Sequence, residues 1–233
     1  MNQLKGTLTI IWLESKRNFL IFFMVLLSII VVSVIFSIVG IFQNAFINTN
    51  APVMVYAAIL GAQLYRLTFN YGISFGVTRK NFYYGAVTGI LGIAVTLALL
   101  HNTIYFLVDK LLETFHVELR LLNFYSYLIE ESIVSYLWLD FTILLFFLAV
   151  GLLFSVIWFR YGLVALYISI GAFLMTLLVP FTLELWQQFI KLLMTSENLY
   201  HFGWLAIISV GLFLLGFPMV RSMNQYAKDK GAA

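Results

Sequence analysis

FLIFFMVLLSIIVVSVIFSIVGIF, residues Phe19–Phe42, runs for 24 residues without a charge. About 20 apolar residues are what a helix needs to cross roughly 30 Å of hydrocarbon. In such a solvent the backbone must satisfy itself, so the stretch reads as a helix. A transmembrane β-barrel would instead show ten-residue segments alternating polar and apolar, and this run is apolar all round. Five more stretches repeat the pattern: Ala51–Asn70, Phe82–Val108, Leu137–Phe159, Leu163–Leu183 and Gly203–Val220. The expectation is an all-α integral membrane protein with six transmembrane helices across residues 19–220. Composition agrees. Of 233 residues 63% are hydrophobic and 10% charged, and mean hydropathy is +1.00. A soluble domain carries about a quarter charged residues. With no cysteine there is no disulfide framework, thiolate zinc site or cysteine nucleophile.

Orientation follows from the cations. With the N-terminus in the cytoplasm, Lys5, Lys16, Arg17, Arg66, Arg79, Lys80, Arg160, Arg221, Lys228 and Lys230 fall inside, and Lys110, Arg120 and Lys191 fall outside. That asymmetry over short loops is the positive-inside pattern and puts both termini in the cytoplasm, in a multi-pass cell-membrane protein. Nucleic acid is not an expected partner; membrane lipid is.

Three segments lie outside the spans. Residues 1–18 carry Leu4, Leu8, Ile11 and Trp12 on one helical face, which predicts an interfacial amphipathic helix. Residues 109–136 form an outer loop in which Leu111, Leu112, Phe115, Leu119 and Leu122 recur at helical spacing. Residues 184–202 hold Trp186, Phe189, Ile190, Leu193 and Met194 in the same period and read as a second outer amphipathic segment, short enough to re-enter the membrane. Residues 221–233 are a cytoplasmic tail.

Several patterns tempt a catalytic reading. Gly72-Ile73-Ser74-Phe75-Gly76 matches G-x-S-x-G, yet that motif needs a strand before it and a histidine within reach. Here a membrane helix precedes it, and His101, His116 and His201 belong to the outer side. Two glycines shaping a tight loop is the ordinary reading, and no catalytic residue is expected. Glu130 and Glu131 are adjacent and diverge by about 100° on a helix. Glu113 and His116 sit one turn apart on a solvated face. No metal-ligand spacing occurs, and no G-x-x-x-x-G-K-[ST] loop, so no metal or cofactor is expected in this chain. Arg66 lies a turn from the inner end of its span, placed to snorkel or to stand at a cytoplasmic gate. His101, Asn102 and Asp140 fall in the outer parts of their spans, with no row of buried acids for a proton relay.

The segment with most to say is Tyr71–Tyr83, the principal cytoplasmic loop between spans. Thr78 suits a helix cap. Arg79 and Lys80 stand among Phe75, Phe82 and Tyr83. From the residues alone the two cations read equally as topology markers and as docking contacts.

Gly76-Val77-Thr78-Arg79-Lys80-Asn81-Phe82 resembles the Gly-x-[Ser/Thr]-Arg-[Lys/Arg]-x-[Phe/Tyr] stretch of permease subunits of type-2 ABC exporters. The layout is similar too: an N-terminal amphipathic helix, six spans, a cytoplasmic coupling segment after span two (72–83 here) and a re-entrant hairpin between spans five and six. The long outer loop 109–136 departs from that layout. The resemblance implies a non-enzymatic subunit that pairs with a second permease, as homodimer or heterodimer, and with a cytoplasmic ABC ATPase that binds the ATP. Its coupling contacts would be Phe75, Gly76, Thr78, Arg79, Lys80 and Phe82, and its cargo a peptide, antimicrobial or other amphiphile. The competing expectations are a membrane anchor or sensor that transports nothing, and an intramembrane hydrolase.

Overall fold

The computed structural model describes residues 3–39, 45–115, 117, 119–122, 132–176, 184, 188 and 202–221. Within them the chain is helical throughout apart from one short sheet. Its elements are α1 (Gln3–Ile38), β1 (Ala45–Asn48), α2 (Asn50–Ser74), α3 (Arg79–Thr114), β2 (Leu119–Leu122), α4 (Ile133–Tyr161), α5 (Leu163–Thr176) and α6 (Gly203–Arg221). By length and apolarity α1, α3, α4 and α6 can each cross a membrane. The described part of α5 is shorter, at 14 residues. α2 has 25 residues but carries Gln63, Arg66 and Asn70 in its second half.

Instead of an interfacial helix followed by a span, α1 runs unbroken for 36 residues, about 54 Å at roughly 1.5 Å per residue. Glu14 to Asn18 change its polarity without breaking it, since none of these residues removes a backbone donor or forces a turn. One face stays buried from end to end, through Thr7, Ile11, Ser15, Phe19, Phe23, Leu26 and Ile30. Leu4 and Trp12, expected on the apolar face, are exposed. The face that packs begins with small residues instead. Thr7 sits against Gly85 and Ile11 against Gly89. These two glycines form a G-x-x-x-G step on α3 that lets the helices come close.

α2 and α4 form the centre. Their contact also depends on missing side chains: a Cβ at Gly61 would strike the Leu148 backbone, and one at Gly151 the Ala58 backbone. Around this seam lie Val53, Ala57, Leu60, Leu144, Leu148 and Leu152, all buried. α6 joins through polar tethers as well as apolar packing. The Tyr83 hydroxyl donates to the Phe213 carbonyl at 2.7 Å, and Arg160 donates to the Met219 carbonyl at 2.9 Å. The second bond supplies a donor to a carbonyl in the last turn of α6, where the helix has no backbone N–H ahead to offer one.

The outer region departs from the helical expectation. α3 continues to Thr114, absorbing Leu111 and Leu112, and β2 then pairs in parallel with β1, Ala45 opposite Leu119 and Asn48 opposite Leu122. Leu119 and Leu121 are buried beside Leu112. Burial at 119 and 121 has the two-residue period of a strand, whereas Leu119 and Leu122 had suggested a helical period. The expected re-entrant segment 184–202 and the tail 222–233 lie outside the described residues, except Glu184, Gln188 and Phe202.

Candidate functional site

The turn between α2 and α3 is closed by local hydrogen bonds. Val77 N–H donates to the Gly72 carbonyl and Gly76 N–H to the Ile73 carbonyl, both at 3.0 Å. Gly76 has φ of 78°, a left-handed value that costs glycine little. Together these are the Schellman ending of α2. Buried Val77 anchors it. α3 restarts two residues later, where the Thr78 hydroxyl accepts from Asn81 N–H at 3.3 Å.

α1 holds this turn from the side. Gln3 donates to the Gly76 carbonyl at 3.4 Å, and its carbonyl oxygen accepts from Thr78 N–H at 3.3 Å and from the Asn81 amide at 2.5 Å. The N-terminal turn of the chain is thereby tied to a segment more than seventy positions away. Sequence spacing gave no sign of Gln3. The G-x-x-x-G step at Gly85 and Gly89 was the available signal that a helix packs along this face.

The predicted coupling residues separate into two groups. Phe75 is 75% exposed, an unusual position for a phenylalanine, and Thr78 and Lys80 are exposed beside half-buried Arg79. Phe82 is fully buried instead. It meets Tyr65 and Phe69 edge-on with ring centroids 5.7 and 5.2 Å away, and lies against Gly72. It braces the turn from inside and offers no surface. Arg79 and Lys80 occupy the first turn of α3, which contains no acid. Cations there face the positive end of the helix dipole, an arrangement that costs a few tenths of a kcal/mol to about 1 kcal/mol. Helix stability therefore does not explain them. Lys80 leans over the Tyr84 ring at 5.9 Å.

Arg66 is exposed on α2, with its guanidinium 4.1 Å from the centroid of the Trp158 ring on α4. That contact ties the C-terminal parts of α2 and α4 through a cation–π interaction. The Ser74 hydroxyl donates to the Tyr71 carbonyl at 2.8 Å within its own helix. His101 is engaged elsewhere. His116, His201, Glu130 and Glu131 lie outside the described residues.

A polar cluster that the sequence left scattered is assembled by the fold. His101 Nδ1 lies 2.7 Å from the Asp140 carboxylate and Nε2 lies 3.1 Å from the Thr49 hydroxyl. The Asn102 amide donates to the same carboxylate and, at 2.9 Å, to the Ala98 carbonyl. Thr49, His101, Asn102 and Asp140 are all buried. The order hydroxyl, imidazole, carboxylate matches a nucleophilic triad. Thr49 is only 2% exposed, however, and presents no open face. What the cluster does is fasten α3, α4 and the entry to α2 to one another.

Farther out, α1 and α3 diverge around a cavity of about 250 Å³ lined only by apolar side chains, among them Ile30, Val34, Ile38, Val108 and Phe115. Comparisons with protein-family models, curated proteins and solved structures find no match to this chain.

Proposed function

We propose that this chain is the permease subunit of an ATP-driven ABC exporter of the cell membrane, with six spans and both termini in the cytoplasm. It would work with a second permease and with cytoplasmic ATPase subunits. The observation that carries the reading is the α2–α3 turn: a locked loop that presents Phe75, Arg79 and Lys80, with the two cations at the helix end least favourable to them. In this reading Phe75 enters an apolar notch on the ATPase while Arg79 and Lys80 pair with acids around it. Gly76, Thr78 and buried Phe82 keep the turn in shape. ATP-driven closure of the partner pushes the turn. Gln3 and the α1–α3 seam pass the displacement to α1, and the central α2–α4 pair receives it directly. Cargo would be a peptide, antimicrobial or other amphiphile whose apolar part can occupy surfaces such as the α1–α3 cavity.

The test is transport in inside-out vesicles containing this chain and its ATPase. Reversing both charges, Arg79→Glu with Lys80→Glu, should abolish ATP-dependent cargo uptake while insertion, checked on the same variant, stays normal. Truncating a buried, hydrogen-bonded charge at an interface costs about 2–5 kcal/mol, against little for a rim charge. Unchanged transport would reduce the pair to topology markers and favour an anchor that moves nothing.

A further inference from the structure

The N-terminal half of α1 and the C-terminal half of α2 border a small cavity of about 10 Å³ with several polar side chains in its lining. Glu14, Ser15 and Asn18 reach it from α1, and Gln63 reaches it from α2 beside Leu60 and Leu64. Ser15 is fully buried, and its hydroxyl has no hydrogen-bond partner. A buried hydroxyl left unpaired is costly, and a helical serine can ordinarily relieve that cost on the carbonyl one turn back. Here Ser15 faces the cavity instead. No ion pair joins Glu14 to another described residue. Arg66, farther along α2, lies over the Trp158 ring. A carboxylate with no ion-pair partner among the described residues, an unpaired hydroxyl and two side-chain amides thus line a space that accommodates one water-sized group.

We propose that this cavity binds the primary ammonium group of an amphiphile. An ammonium has three N–H donors, positive charge and about the size of a water molecule. Glu14 supplies the counter-charge, Ser15 and the Asn18 or Gln63 carbonyl oxygen accept the remaining protons, and Leu60, Leu64 and Leu67 line the way for the attached methylenes. Size sets the specificity: a trimethylammonium group does not fit and offers no donor. The ammonium can come from an aminolipid headgroup or from an amine-bearing cargo. The cargo assignment rests on the export reading above; the binding site does not.

The test is equilibrium binding of radiolabelled dodecylamine at neutral pH to the purified full chain in a maltoside detergent, with micelle partition common to every variant. Glu14→Gln should weaken binding at least tenfold and Ser15→Ala several-fold. Unlabelled dodecyltrimethylammonium should compete at least tenfold more weakly than unlabelled dodecylamine. Gln63→Ala, an exposed position on the other helix, gives a second reading if Glu14→Gln fails to fold, and should also weaken binding several-fold. Competition by phosphatidylethanolamine but not phosphatidylglycerol assigns the ammonium to lipid, and its absence assigns it to cargo. Equal affinity in wild type, Glu14→Gln and Gln63→Ala, or equal competition by the trimethyl compound, overturns the proposal. Since no ATPase is present, a failure of transport elsewhere leaves this result standing on its own.

Discussion

His101 bridges groups 39 and 52 positions away in the chain, and its two contacts decide how the outer ends of the central helices stay together. Removing the imidazole takes one hydrogen bond from the buried Asp140 carboxylate and leaves the Asn102 amide still donating to it; a buried polar group that loses a partner costs about 1–3 kcal/mol. His101→Ala should therefore lower the thermal unfolding midpoint in detergent sharply. Replacing both partners, His101→Leu with Asp140→Leu, should recover much of the loss, because the carboxylate that the imidazole satisfies is then removed with it. A double variant no more stable than the single one would mean that the cluster does more than fasten helices. At the α2–α3 turn, Gln3→Ala removes hydrogen bonds worth about 0.5–1.5 kcal/mol each in net terms. It should speed amide exchange in residues 76–81 without altering global stability.

Among the elements, α1 shows most clearly what hydropathy reports. The change from Glu14-Ser15-Lys16-Arg17-Asn18 to the apolar run after it is a change of composition only; Ser15 and Asn18 are types that can cap a helix, but nothing here removes a backbone donor and α1 continues through them. The four long apolar helices were legible because such runs leave the backbone one solution in hydrocarbon. The α2–α3 turn was legible because Gly76 and Thr78 are terminators with a local mechanism. Long-range pairings were not legible: nothing local joins Thr49 to His101 or Gln3 to Asn81, and the parallel pairing of β1 with β2 spans 74 positions. Phe82 looked like a docking residue because sequence does not tell the two sides of a helix start apart. The continuous α1 has its own check. With no native cysteine, Gln3→Cys with Asn81→Cys can be bridged by a short thiol crosslinker, and efficient crosslinking is expected. Gly85→Leu, which would overpack the Thr7 contact at a cost of about 1–3 kcal/mol, should abolish that crosslink. A crosslink that survives Gly85→Leu would place the α1–α3 contact elsewhere.

At the scale of the whole molecule, three linkages form one mechanical path: Gln3 to the turn, Thr7 and Ile11 to α3, and the glycine-mediated approach of α2 to α4. On the export reading proposed above, such a path would carry the ATPase's push away from the turn, and the His101 cluster lies toward the opposite end of α3 from it. The central claim is that the exposed turn is where an ATPase pushes. A photo-crosslinking amino acid in place of Phe75, activated in intact cells, tests it most directly. The account predicts a covalent adduct with a P-loop ATPase, lost when Arg79 and Lys80 are reversed to glutamate. Adducts with lipid alone, or an ATPase adduct indifferent to the charge reversal, would contradict it.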